Sequence, residues 1–155
     1  MADVPTLEHA ITIAAAPARV WELVHDPRRM SEWSPTVVST RLKDAAVPAL
    51  GVRFTNRNRD GELEWTTHAE IVGYDEERLL AFRVEENWAI WSFTLAPDPA
   101  GTRLTQRRET PEGISELSRE LTDGFMGGQE VFTAGLRDGM AQTLERIRAA
   151  AELTE

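Results

Sequence analysis

The chain has 155 residues, which fits a single domain over residues 1–155. A chain of this length buries about 68–70% of its unfolded surface, so that a core with an internal cavity is feasible. It has 26 acidic and 17 basic residues, and the net charge of -9 argues against nucleic acid as a partner, while the lack of cysteine excludes disulfides, thiolate metal sites and a cysteine nucleophile.

The N-terminal part of the chain is predicted to form a strand followed by two short helices. Apolar residues alternate with others over Leu7–Ala14, as in a half-buried strand. Pro17 stands where a helix favours its first residue, and apolar residues at helical spacing predict an amphipathic helix over Pro17–His25. Asp26-Pro27 ends this helix and starts a second one, which Ser34-Pro35 ends.

Six further strands are predicted in the middle of the chain. They are Thr36–Leu42, Val52–Arg59, Leu63–Tyr74, Leu79–Glu85, Trp88–Leu95 and Thr102–Glu109. Turn-forming residues separate them, among them Asp60-Gly61, Glu86-Asn87 and the segment Pro97–Gly101. Such short connections favour an antiparallel meander, so that consecutive strands pair with one another.

The C-terminal part of the chain changes to helical periodicity. Apolar residues from Ile114 to Ala151 form one stripe, which predicts a long helix with one face on the sheet, kinked or interrupted at Gly127-Gly128. Glycines form a second stripe at Gly124, Gly128, Gly135 and Gly139. Either these glycines leave volume for a ligand beneath the helix, or they allow close packing of the helix or a flexible lid.

This order of elements resembles the START-related (SRPBCC) helix-grip superfamily over essentially the whole chain, and the opening stretch resembles its bacterial polyketide cyclase/dehydrase type. The similar positions are Pro17, Val20-Trp21, Asp26-Pro27, Trp33-Ser34-Pro35, Trp91, Phe93, Gly101-Thr102, Gly139-Met140 and Thr143-Leu144. The resemblance implies an α+β fold in which a curved antiparallel seven-stranded sheet surrounds the long C-terminal helix, with two short helices after the first strand. It also implies an apolar cavity between the sheet and the helix.

The residues expected to line that cavity follow from strand alternation and from the helical stripe. They are Phe54, Asn56, Trp65, Thr67, Phe82, Trp91, Phe93, Gln106, Arg108, Phe125, Phe132, Leu136 and Met140. Apolar walls with a few orienting polar groups are typical of small-molecule pockets. The alternative is that the aromatic residues form an ordinary core and that the polar residues lie at strand ends in water.

Arg108 has two interpretations. A buried arginine must be paired or bind an anion, so Arg108 would orient a ligand carboxylate, phenolate or carbonyl group. Alternatively, it forms a salt bridge with a carboxylate such as Glu86, or it is exposed.

Cofactor chemistry is not indicated by the sequence. The histidines His9, His25 and His68 lie on different predicted elements without a carboxylate at ligand spacing, so that no metal site is predicted. No phosphate loop, dinucleotide fingerprint or nucleophile elbow occurs either, and we predict no cofactor.

Three functions remain open. The first is binding of a hydrophobic or aromatic small molecule, such as a lipid, polyketide or related metabolite. The second is a polyketide cyclase/dehydratase-type enzyme, in which Asn56, Gln106 and Arg108 would stabilise an enolate. The third is a protein-interaction module of the co-chaperone kind, with a collapsed cavity and an exposed apolar patch. The sequence predicts a cytoplasmic monomer or homodimer without a membrane span or a cleaved N-terminal signal.

Overall fold

The computed structural model describes residues 6–111 and 128–153, with side chains from residue 133 onward in the second range. Seven strands within these residues form one antiparallel sheet in the order β1-β7-β6-β5-β4-β3-β2. Their bounds are β1 Leu7–Ile13, β2 Val37–Lys43, β3 Arg53–Asp60, β4 Leu63–Asp75, β5 Leu79–Val84, β6 Ile90–Asp98 and β7 Gly101–Glu109. The strands from β2 to β7 form the predicted meander, and the first strand closes the sheet by pairing with the last.

The helices follow the predicted order. Helix α1 spans Pro17–Val24 with its proline in the first turn, and α2 spans Met30–Trp33 after a 3₁₀ turn at Pro27–Arg29. The side chain of Asp26 caps that turn by accepting a hydrogen bond of 3.0 Å from the backbone N–H of Arg28. Helix α3 spans Gly128–Ala151. The part of the predicted long helix that precedes Gly128 lies outside the described residues.

The boundaries of β6 differ from the prediction at both ends. Trp88 lies in the turn before the strand, with φ of 64° and its N–H bonded to the carbonyl of Val84. At the other end, β6 continues through Pro97 and Asp98, which pair with β7. Because β5 begins opposite Thr94, the strand beyond Leu95 has a sheet neighbour on one side only. A proline is tolerated there because no ladder hydrogen bond is lost.

One face of the sheet packs against the three helices and forms the core. Leu104 of β7 and Leu80 of β5 are fully buried in the same cluster as Leu144 and Ile147 of α3. The C-terminal end of α3 is attached to the start of α1, since Arg19 donates a hydrogen bond of 3.2 Å to the carbonyl of Ala150. We call the sheet face that carries Leu104 the inner face.

Gly135 of α3 offers a test of the glycine stripe. It is exposed, and a Cβ atom added to it would meet no atom of the described residues within 4 Å. We expect Gly135→Ala to raise the free energy of unfolding by about 0.5–1 kcal/mol in urea, because glycine within a helix costs that much relative to alanine. Gly73→Ala is the comparison for a crowded position. Its added Cβ atom would lie 3.0 Å from Leu79 Cδ2 and 3.1 Å from Ala81 Cβ. A loss of stability in Gly135→Ala would contradict this expectation.

Candidate functional site

The inner face brings together the strand residues that the sequence predicted to line a cavity. Pairing in register places Asn56 beside Thr67, Asn58 beside Trp65, Phe82 beside Trp91 and Phe93 beside Gln106. In α3, Met140 is buried and Leu136 is half-buried. The side chain of Phe132 and all of Phe125 lie outside the described residues, so the prediction for these two stays an expectation.

Aromatic rings form the apolar part of this face. Phe54 and Phe82 meet edge to face with their ring centroids 5.2 Å apart. Phe54, Phe82 and Phe93 are buried, whereas Trp65 and Trp91 keep part of their surface accessible. The rings of the three phenylalanines therefore lie deep, and the two tryptophans lie where solvent still reaches them.

A first polar group on the inner face spans β2, β3 and β4. Thr40 donates a hydrogen bond of 2.6 Å to Asn56 Oδ1, and Asn58 Nδ2 donates one of 3.1 Å to Thr67 Oγ1. Asn56 and Asn58 are buried, so these bonds offset part of the cost of removing their amides from water. Sequence reasoning did not include Thr40, because its role depends on the pairing of β2 with β3.

A second polar group lies along β7 and contains Arg108. This side chain is 2% exposed, so the interpretation of Arg108 as a solvent-exposed residue is wrong. Burial of the guanidinium lowers the pKa of Arg108 to about 10, which leaves it charged at neutral pH. Its guanidinium carbon lies 5.8 Å from the ring centroid of Trp91, within the range of a cation–π contact.

Two other residues of this second group carry buried oxygen atoms. Gln106 Oε1 and Thr110 Oγ1 are inaccessible to solvent and have no hydrogen-bond partner among the described residues. Gln106 was predicted from strand alternation. Thr110 was not, because it follows the last residue of the predicted strand, although it continues the two-residue spacing of Gln106 and Arg108.

The outer face of the sheet carries the residues that could hold a cation. His68 of β4 lies against Glu85 and Glu86, and one potential ligand atom from each of the three falls within 4.8 Å of the others. Glu86 accepts a hydrogen bond of 2.7 Å from the backbone N–H of His68, and its second oxygen lies 2.5 Å from His68 Nδ1. The sequence prediction considered spacing along the chain only and missed this proximity, which the pairing of β4 with β5 creates.

A small cavity of about 70 Å³ lies beside these residues, lined by Lys43, Arg53, Phe54, Thr55, His68, Ala69 and Glu85. Its polar side chains alternate along their strands with the inner residues, so the cavity opens on the outer face. Phe54, one of the aromatic residues of the inner face, also borders it. None of the described helices is long and apolar enough to cross a membrane.

Comparison with known families gives one match. A family model described as polyketide cyclase / dehydrase and lipid transport matches residues 4–152. No curated protein matches the chain.

Solved structures share the fold at low sequence identity. Protein Cgl2372 from Corynebacterium glutamicum, which is named as polyketide-cyclase-like, is 25% identical, with a TM-score of 0.58 over 97% of this chain and 96% of that one. Protein MLL2253 from Mesorhizobium loti is 19% identical, with a TM-score of 0.67 over 97% and 99% of the two chains. The di-domain ARO/CYC protein StfQ of the steffimycin biosynthetic pathway is 14% identical, with a TM-score of 0.75 over 95% of this chain and 50% of that one.

Proposed function

Because this chain belongs to the polyketide cyclase / dehydrase and lipid transport family, we propose that it binds a hydrophobic or aromatic small molecule between its sheet and its C-terminal helix. Lipids, polyketides and related metabolites are the ligand classes concerned. The observation that carries the proposal is the composition of the inner face. Among the described residues, this face carries buried aromatic rings, a few hydrogen-bonding side chains and the buried guanidinium of Arg108, a combination typical of small-molecule sites.

Binding is preferred to catalysis for a chemical reason. Cyclisation and dehydration need a group that moves protons as well as one that stabilises an enolate. Arg108 could supply the stabilising charge. Of the three histidines, His9 pairs with Gln106 on the inner face and is exposed on the edge strand β1, and His25, which follows α1, has its Nδ1 atom 3.0 Å from the hydroxyl of Tyr74. An exposed imidazole on the edge strand is poorly placed to act on a ligand held among buried rings.

The binding proposal is tested by calorimetric titration with aromatic and lipid probes, namely 2-naphthol, 2-methoxynaphthalene and oleate. For a matching probe, we expect a Kd on the order of 10 µM, which corresponds to roughly -7 kcal/mol. We expect Trp91→Ala to raise that Kd about tenfold, because the site then lacks the large apolar ring on which the ligand would stack.

Trp88→Ala is the matched control, since Trp88 lies in the turn before β6 and is exposed. Its Kd is expected to stay within a factor of two or so of the unmodified protein. Native mass spectrometry of freshly purified protein adds a direct search for a bound molecule. The proposal fails if none of the three probes binds the folded protein, or if both tryptophan variants weaken binding equally.

A further inference from the structure

The two buried oxygen atoms near the end of β7 point to the chemistry of the ligand. Gln106 is 8% exposed, and its Oε1 atom has no hydrogen-bond partner among the described residues. The buried Oγ1 atom of Thr110 also has no partner among them. Buried polar atoms in native proteins are paired in the great majority of cases, because an unpaired one loses its bonds to water without replacement. The unpaired oxygen of Gln106, which lies within β7, therefore calls for an explanation.

The surroundings of Gln106 on the sheet explain why the described residues leave Oε1 unpaired. Its cross-strand neighbours on the inner face are Phe93, which has no polar side-chain atom, and His9, which is exposed. Arg108, two residues further along, has its guanidinium over the ring of Trp91. Gln106 thus lies on the aromatic part of the inner face, apart from the hydrogen-bonded group formed by Thr40, Asn56, Asn58 and Thr67.

We infer that this site selects ligands that carry a hydrogen-bond donor, in particular a phenolic or other hydroxyl group on an apolar skeleton, and that Gln106 Oε1 accepts that hydrogen bond. The inference rests on the proposed function and specifies its ligand class. The Thr110 hydroxyl, which both donates and accepts, lies four residues further along the chain, about 13 Å at the rise of an extended strand, and would meet a different part of a long ligand. Gln106 is therefore the specificity-determining residue.

The chemistry of a carbonyl oxygen explains why a donor is required. An amide oxygen accepts hydrogen bonds and cannot donate them. An ether or a hydrocarbon bound at the position of the hydroxyl group would therefore exclude water from Oε1 without giving it a hydrogen bond. A site built to bond a hydroxyl group rejects an analogue that lacks it much more strongly than an apolar pocket rejects an extra methyl group. Methylation of the ligand hydroxyl should therefore reduce affinity even though it adds apolar surface.

The test compares the binding of two probes by calorimetric titration of the full chain. 2-Naphthol carries a hydroxyl group, and 2-methoxynaphthalene carries a methyl group in place of the hydroxyl proton. We expect 2-naphthol to bind the unmodified protein at least about tenfold more tightly, a difference of about 1.4 kcal/mol. Gln106→Leu removes the acceptor. In this variant the Kd values of the two probes should differ by no more than about threefold, because 2-naphthol loses a hydrogen-bond partner and the ether does not. 2-Naphthylamine, a second donor, should follow 2-naphthol.

Gln142→Leu is the matched control, because Gln142 is an exposed residue of α3, and this variant should keep the full preference for 2-naphthol. Gln106→Met provides a second apolar variant of similar length if the leucine variant does not fold. Equal binding of both probes to the unmodified protein would overturn the inference while leaving the proposed function intact. Absence of binding by both naphthalenes and by oleate would instead remove the proposed function itself.

Discussion

Gly101→Ala is expected to lower the free energy of unfolding by at least about 3 kcal/mol, the largest single-residue effect that we predict for a change of one methyl group. For a chain of this size, that loss corresponds to a fall in Tm of roughly 6–12 °C. Urea denaturation followed by circular dichroism measures the first quantity, and a thermal scan measures the second.

The physical reason is the close approach of two backbone segments. Gly101 begins β7 with φ of 142°, a conformation that residues other than glycine rarely adopt. An added Cβ atom would lie 2.7 Å from the backbone nitrogen of Ala15 and closer still to the carbonyl oxygen of Ile13. The same contact is held by Thr102, whose hydroxyl donates a hydrogen bond of 2.7 Å to the carbonyl of Ala15. Neither backbone segment is free to move away.

Gly61→Ala separates the clash from the backbone conformation. Gly61 also has a positive φ, of 63°, in the hairpin between β3 and β4, but a Cβ atom there would meet nothing within 4 Å in the part of the chain that the structure describes. We expect it to lose about 1 kcal/mol from conformational strain alone. If Gly101→Ala and Gly61→Ala lowered the free energy of unfolding equally, the close contact of Gly101 with the segment after β1 would not be the cause of the loss in Gly101→Ala.

Trp33→Ala is expected to lower the free energy of unfolding by about 3–5 kcal/mol, as for other buried aromatic residues that are truncated in a core. Trp33 ends α2 and is 5% exposed. Its Nε1 donates a hydrogen bond of 3.3 Å to the carbonyl of Leu23, and its own carbonyl accepts one of 3.2 Å from Arg146 of α3. The residue therefore connects α2 both to α1 and to the C-terminal helix. Urea denaturation measures the loss.

Trp33→Phe distinguishes support of the fold from a part in binding. It keeps most of the buried ring and removes the Nε1 bond, and we expect it to lower the free energy of unfolding by about 1 kcal/mol or slightly more. The Kd for 2-naphthol should stay within about threefold of the unmodified protein. A tenfold weakening by this conservative change would mean that the N-terminal helices form part of the binding site and do more than support the sheet.

Much of the fold could be read from local patterns. Alternation along each strand depends on neighbouring residues only, so it predicted seven strands and the residues that share the inner face. Pro17 and Asp26-Pro27 predicted the two short helices because proline restricts its own φ and favours a first helical turn. The ends of β6 were misjudged for the opposite reason. Trp88 is a common strand residue that lies in a turn, and Pro97 is tolerated because β5 does not extend far enough to require its N–H.

The site was less predictable, because its chemistry depends on which strands meet and in what register. The pairing of β2 with β3 gives Asn56 its partner Thr40, and the pairing of β4 with β5 brings His68 to Glu85 and Glu86. No periodicity in the chain encodes these contacts, since the partners are between 16 and 18 residues apart.

The sequence by itself thus determined the order of the elements, the antiparallel meander with its C-terminal helix and the face of each strand that points inward. These properties follow from local preference and from the burial of apolar side chains. Only the tertiary structure decided that Arg108 is buried over Trp91 and that Gln106 and Thr110 keep oxygen atoms without partners among the described residues. Desolvation and hydrogen-bond pairing are set by the neighbours that surround a side chain in space, and most of those neighbours are distant in the chain.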